Sequence, residues 1–195
     1  SDGEEIAEGL DGFITNPLLK DSDGDLVEDG FEVALGIDPT NGADGSADVV
    51  IDGRTITFSG STRIAGTLSL INSAVLSHHT QELRGEKRLE IEAASVVIDA
   101  TSRIDVSARG FLGAQNGLNA ASQRGRTLDN VPGSLRRNGG SYGGLGGFGS
   151  AELQQNYVYG SFRNPNEPGS GGGSDNGRGG SGGGQSDTYQ RRSAL

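Results

Sequence analysis

Of the six carboxylates in the twelve residues DSDGDLVEDGFE, Asp21 to Glu32, five follow the spacing D-x-D-x-D-x-x-x-D-x-x-E. Oxygen ligands at loop positions 1, 3, 5, 9 and 12, joined by a backbone carbonyl at position 7, give the high coordination number that Ca²⁺ takes and Mg²⁺ tolerates poorly. The spacing makes Asp21, Asp23, Asp25, Asp29 and Glu32 candidate side-chain ligands and Val27 the candidate carbonyl donor. Negative groups held a few ångströms apart repel or take up protons unless a cation intervenes, so a merely solvated acidic loop leaves the regular spacing unexplained. Position 6 of such a loop is ordinarily Gly, because the chain turns sharply there. This chain has Leu26 at that point, and a left-handed conformation would cost it about 1–2 kcal/mol. The residue implies either a loop that turns differently or a site weaker than its carboxylate count.

The first ten residues repeat part of the same pattern. SDGEEIAEGL laid over EDGFEVALGI pairs Asp2 with Asp29, Gly3 with Gly30, Glu5 with Glu32, Ala7 with Ala34 and Gly9 with Gly36, at an offset of 27 residues. Ile6 with Val33 and Leu10 with Ile37 are apolar matches, which marks an internal repeat rather than a chance acidic run. Asp2 and Glu5 then read as the last two ligands of an upstream site, weaker candidates than the complete set, and the chain reads as a fragment of a longer protein.

The segment TNPLLKDSDGDLVEDGFEVALGIDPTN, Thr15 to Asn41, resembles a thrombospondin type 3 repeat of the bacterial kind. The likeness covers roughly residues 1–45. It implies Ca²⁺-dependent rigidity in a secreted or cell-surface protein, with the five carboxylates as ligands and Asp38 and Asn41 of the closing DPTN as weaker ones.

Charge distribution is consistent with cation binding at one end. Residues 1–48 hold fourteen acidic side chains against Lys20 alone, so the net charge of −10 is concentrated there. Such a region repels phosphate, which argues against nucleic acid as a partner. The absence of Cys excludes disulfides and thiolate metal sites, leaving Ca²⁺ as the staple for a segment poor in apolar residues. No run is long and apolar enough for a membrane span.

From about Ala47 the texture changes to short runs of alternating apolar and small polar residues, VVIDGRTITF, TRIAGTLSLI, RLEIEA and SVVIDA among them. Period-two alternation with Gly, Asn or Ser between the runs is the pattern of strands joined by brief turns. The chain is therefore expected to be mainly β. A right-handed parallel β-helix is favoured, with an antiparallel β-sandwich as the alternative, because VVIDGRTITFSGSTRIAGTLSL and SVVIDATSRIDVSARGF resemble the rungs of bacterial surface β-helix proteins. Three regions are expected: Ca²⁺-binding repeats over 1–46, a β-rich domain over 47–112, and a glycine-rich extension over 113–195.

His78 and His79 interrupt the strand pattern and read as a loop or a short helical excursion. With no Cys and no third His, ordinary packing outweighs a metal or acid–base role for them. Glu90, Glu92, Asp99 and Asp105 on the strands read as a solvated outer face rather than a catalytic pair. Between Gly139 and Gly184 lie 18 glycines, a composition typical of flexible linkers. Tyr142, Phe148, Tyr157, Tyr159 and Phe162 recur through that stretch, which argues for order, and glycine lets backbones approach closely. YGSFRNPNEPGSGGG, Tyr159 to Gly173, resembles glycine-rich insertions between the rungs of large microbial surface proteins. No string satisfies the G-x-x-x-x-G-K-[ST] phosphate loop, since Lys occurs only at Lys20 and Lys87.

These readings converge on a non-enzymatic, Ca²⁺-binding extracellular or cell-surface module of a larger fibre or adhesin, with self-association or other surface-protein modules as partners. The alternatives are a β-helix polysaccharide-active enzyme and a glycan-binding adhesin that stacks sugars on Tyr142, Tyr157 and Tyr159.

Overall fold

The computed structural model describes residues 12–43, 48–149 and 158–190. Contacts divide the chain into two compact units. One comprises Ser1–Ser77, Leu89–Asp105 and Asp187–Leu195; the other comprises His78–Arg88 and Val106–Ser186.

The first unit is built from one short helix and seven strands: α1 (Asp29–Leu35), β1 (Val49–Asp52), β2 (Thr55–Thr57), β3 (Gly60–Ile71), β4 (Val75–Ser77), β5 (Leu89–Ile98), β6 (Arg103–Ile104) and, numbered last in chain order, β9 (Ser186–Gln190). Strands β1 to β6 pair in parallel. Val49–Asp52 of β1 lies beside Leu68–Ile71 of β3, whose residues Thr67–Leu70 lie in turn beside Ser95–Ile98 of β5. The first half of β3, Gly60–Ile64, runs beside Leu89–Ala93. On a second sheet β2 pairs with β4, and β4 with β6. Successive passes of the chain therefore stack on one another. The second pass is longer than the first by the excursion of residues 78–88.

Parallel pairing between these strands is the opposite of what an antiparallel sandwich requires, so that alternative is corrected. Its physical basis lies in the alternation. Val49 and Ile51, Leu68 and Leu70, Ile56, Leu76, Ile64, Leu89 and Ile91 point to one core and are buried, while their sequence neighbours turn outward. Aligned passes place like with like, each buried aliphatic contributing about 1.5–3 kcal/mol.

Helix α1 shares this core, which the sequence had not suggested. Val27, Phe31 and Leu35 are buried in the same cluster as the strand residues. The Phe31 and Phe58 rings lie 5.1 Å apart. Gly36, at φ 74°, ends the helix by donating its backbone N–H to carbonyls of the last turn, the usual left-handed termination. Arg54 adds a bond from its guanidinium to the Leu35 carbonyl at 3.0 Å. Residues 27–37 of the acidic repeat region are thus packed on the strands.

The second unit contains the antiparallel pair β7 (Arg124–Arg126) and β8 (Pro132–Leu135) and two 3₁₀ turns, Gly117–Asn119 and Leu128–Asn130. Its remaining order comes from glycine-rich segments that are neither helix nor strand. Phe111 and Ala114 donate to the carbonyls of Gly169 and Gly172; Gly169 and Gly172 donate to those of Gly183 and Gly180; Gly182 and Gly179 return bonds to Phe111 and Ala114, all at 2.8–3.0 Å. The step is three residues on every segment. That is the repeat of a polyproline II helix, which makes no internal hydrogen bonds and leaves its N–H and C=O groups to neighbours. Glycine is obligatory where the segments touch. A Cβ at Gly113 would overlap the Gly179 carbonyl, and one at Gly182 the Gly169 carbonyl.

Candidate metal centre

The loop that precedes α1 is shaped by its own aspartates. Asp21 accepts from the backbone N–H of Gly24 at 2.7 Å through Oδ1 and of Leu26 at 2.9 Å through Oδ2. Asp23 accepts from Asp25 N–H at 3.2 Å, and Asp25 from Val27 N–H at 2.8 Å. These local bonds curl the chain so that successive carboxylates converge, the behaviour that makes Asp a turn former. One oxygen from each of Asp21, Asp23 and Asp25 lies within 4.8 Å of the others, so the three can hold a metal ion. They are the one such group of three or more among the described residues.

Leu26 takes φ 85° and is 44 % exposed. The loop therefore turns in the left-handed sense its position demands, and a residue with a Cβ bears the strain. The loop thus does not turn differently at this position. Gly24, at φ 83°, makes the other left-handed step.

Asp23 is the electrostatic focus. Its Oδ2 is shielded from solvent and has no hydrogen-bond partner. Burial, followed by the Asp25 and Asp21 charges, pushes its carboxyl above the ordinary range, although a bond from the Asp25 backbone acts the other way. A carboxylate crowded by its own kind, with one oxygen shielded from solvent, is a donor whose charge a cation would balance. The donor set, all hard oxygen, suits a hard cation.

The remaining expected ligands are not part of that group of three. Asp29, in the first turn of α1, accepts from the N–H of Ser22 at 2.6 Å and from its hydroxyl at 2.7 Å. Its carboxylate braces the loop. Ser22 was not singled out in the sequence, although its place between two aspartates of the ligand run was a usable signal. Glu32 is fully buried in α1 and lies outside the three-carboxylate group. Val27 is buried at the loop's end, with its side chain in the core. Asp38 accepts from the N–H and hydroxyl of Thr40, and Asn41 from the N–H of Ala43, so both shape the closing turn. Asp2, Glu5 and Tyr157 lie outside the described residues.

The other groups weighed as functional have structural surroundings. His78 is buried, its Nδ1 2.8 Å from the His79 carbonyl and its Nε2 accepting from Gln185 N–H at 3.2 Å. Burial, then Arg109 and His79, lower its pKa. Glu92 pairs with Arg63 at 3.5 Å and Asp105 with Arg103 at 3.3 Å. Tyr142 and Tyr159 meet edge to face with centroids 5.2 Å apart, and Tyr159 meets Phe111 at 6.2 Å. That aromatic cluster is packed on itself, and Phe148 and Phe162 are exposed.

No family model, no curated protein and no solved structure matches the chain. No helix among the described residues is long and apolar enough to cross a membrane.

Proposed function

We propose that this chain is a Ca²⁺-stabilised structural module of a larger extracellular or cell-surface protein, in which a thrombospondin type 3-like loop caps the first pass of a parallel β-helix. The observation that carries the reading is the convergence of Asp21, Asp23 and Asp25 in a loop whose last residue, Val27, belongs to the β-domain core. Neutralising the aspartates relieves their repulsion and fixes Val27, Phe31 and Leu35 against Ile56 and Phe58, so binding energy appears as folding energy. Right-handed passage between rungs follows the general rule for parallel crossovers. Asp29 holds the loop through Ser22, and Leu26 supplies the turn. The role is mechanical rather than catalytic, with self-association or neighbouring surface modules as the natural partners.

Calorimetric titration of the full chain with Ca²⁺, beside Asp23→Ala, tests the proposal. Saturable binding in the parent, its loss in the variant, and a chelator-sensitive thermal transition are expected. A parent chain that takes up no Ca²⁺ overturns the reading. Sedimentation in Ca²⁺ tests assembly separately, and a monomer at high concentration removes that part.

A further inference from the structure

Within the second unit, the 78–88 excursion and the 128–131 turn flank an open cleft of about 400 Å³ lined by Leu83, Arg84, Gly85, Glu86, Asp129 and Asn130. Both walls are fixed from behind. Gln81, buried, clasps Lys87 through its amide nitrogen to the Lys87 carbonyl and through its oxygen from the Lys87 N–H at 2.8 Å. The facing turn is closed by Thr127 N–H to the Val131 carbonyl at 3.0 Å and by Arg126 to the Asn130 carbonyl at 3.1 Å. Asn130 Nδ2 reaches across to the Gly85 carbonyl at 3.4 Å.

We propose that this cleft binds a short neutral saccharide. Its volume lies within the roughly 300–1,000 Å³ of small-ligand sites. Sugar hydroxyls need acceptors and donors side by side; the carboxylates of Glu86 and Asp129 accept, and the guanidinium of Arg84 donates. Leu83, 37 % exposed, offers an apolar surface for the C–H face of a ring. Arg88 pairs with Glu86 at 3.7 Å, so two carboxylates meet two guanidiniums and the cleft carries no net charge, which gives a uronate, sulfated sugar or phosphate no advantage over a neutral sugar.

The backbone adds an independent argument. Asp129 and Asn130 are consecutive left-handed residues at φ 58° and 57°, a strained arrangement of the kind concentrated at ligand sites. Asn130 Oδ1 is shielded from water and has no hydrogen-bond partner. A ligand hydroxyl reaching it after a small rotation of the amide would satisfy that acceptor. The lining residues belong to the second unit and residues 21–25 to the first.

The test is amide chemical-shift titration of the full chain, held in Ca²⁺, with gluco-, manno- and galacto-configured oligosaccharides and, separately, with oligogalacturonate. Saturable shifts centred on residues 83–86 and 129–130 with a neutral sugar are expected. Arg84→Ala and Asp129→Asn should each weaken binding about tenfold or more, with spectra otherwise unchanged to confirm folding. Absence of shifts at those amides at sugar concentrations well above a millimolar dissociation constant overturns the proposal. So does binding that survives both substitutions, or a response at those amides to oligogalacturonate alone or to added Ca²⁺ alone.

Discussion

The side-chain amide of Asn72 donates to Asp52 Oδ1 at 2.8 Å, joining the corner that follows β1 to the corner one pass later. The backbone N–H of the same residue donates to Asp99 Oδ2 at 2.7 Å, in the corner one pass further on. Asp99 also accepts from Thr101 and Ser102, and these bonds hold its carboxyl well below the ordinary range. One residue thus ties three stacked turns together. Asn72→Asp places a third carboxylate in this column and is expected to lower the melting temperature by several degrees at neutral pH. Asn72→Gly keeps the left-handed backbone (φ 58°) and should cost less; thermal melts of the two variants decide the order.

Leu26→Gly is expected to stabilise the chain by about 1 kcal/mol, because the residue is left-handed and its side chain is largely exposed. The same change should tighten cation binding, since less strain accompanies the ordered loop. Paired denaturant melts and calorimetry check both effects, and weaker binding in the variant would show that the Leu26 side chain supports the loop.

Asp23 makes cation binding depend on pH. Its folded pKa is raised, so without a cation its effect favours folding below the unfolded value, and that advantage disappears as pH rises through the folded one. Added Ca²⁺ reverses the balance by stabilising the ionised form. Affinity should fall as pH drops through the carboxylate range, with proton release on binding at the acid end, measurable by calorimetry in buffers of different ionisation enthalpy.

His78 and Tyr159 bound the stability of the second unit. The lowered pKa of His78 means that its contribution is complete above the ordinary value of 6.5 and is lost as pH falls through the folded pKa. Protonation would place a hydrogen on Nε2, facing the Gln185 N–H. Burial raises Tyr159 to about 12, so its contribution is present below the ordinary value of 10 and lost as pH rises through 12. Tyrosine absorbance and circular dichroism across both limbs test the two signs, and His78→Gln should flatten the acid limb.

Gly182→Ala and Gly180→Ala form a matched pair. The first Cβ would overlap the Gly169 carbonyl, whereas the second meets nothing within 4 Å. The first change should destabilise by about 1–3 kcal/mol or prevent folding of the unit; the second should be nearly silent. Equal effects would argue against close backbone packing as the source of order there.

The strands were legible because alternation is local: Val49 and Ile51, or Leu68 and Leu70, announce an inward face without knowledge of their partners. Parallel pairing was only favoured, since register between distant segments such as Leu70 and Ile98 leaves no local trace. Helix α1 was missed although Val27, Phe31 and Leu35 recur at four-residue spacing before Gly36; the acidic residues among them drew attention to ligands instead. Three of the five expected aspartate and glutamate ligands converge, because turns at Asp21, Asp23 and Asp25 are made by neighbouring N–H groups. Asp29 and Glu32 ride on a helix whose placement is set by the distant Phe58. The glycine-rich stretch carried aromatic hints of order, but bonds between residues such as Phe111 and Gly169 have no signature in composition.

The threefold step of the glycine-rich segments sets a unit of permissible length change. Adding or removing three residues within a segment returns every later donor to an equivalent azimuth, whereas one or two residues rotate the remainder by a third or two-thirds of a turn and face its N–H groups to the wrong neighbour. Length changes in these segments are thereby expected to be tolerated in triplets, with other lengths accommodated in the connecting loops.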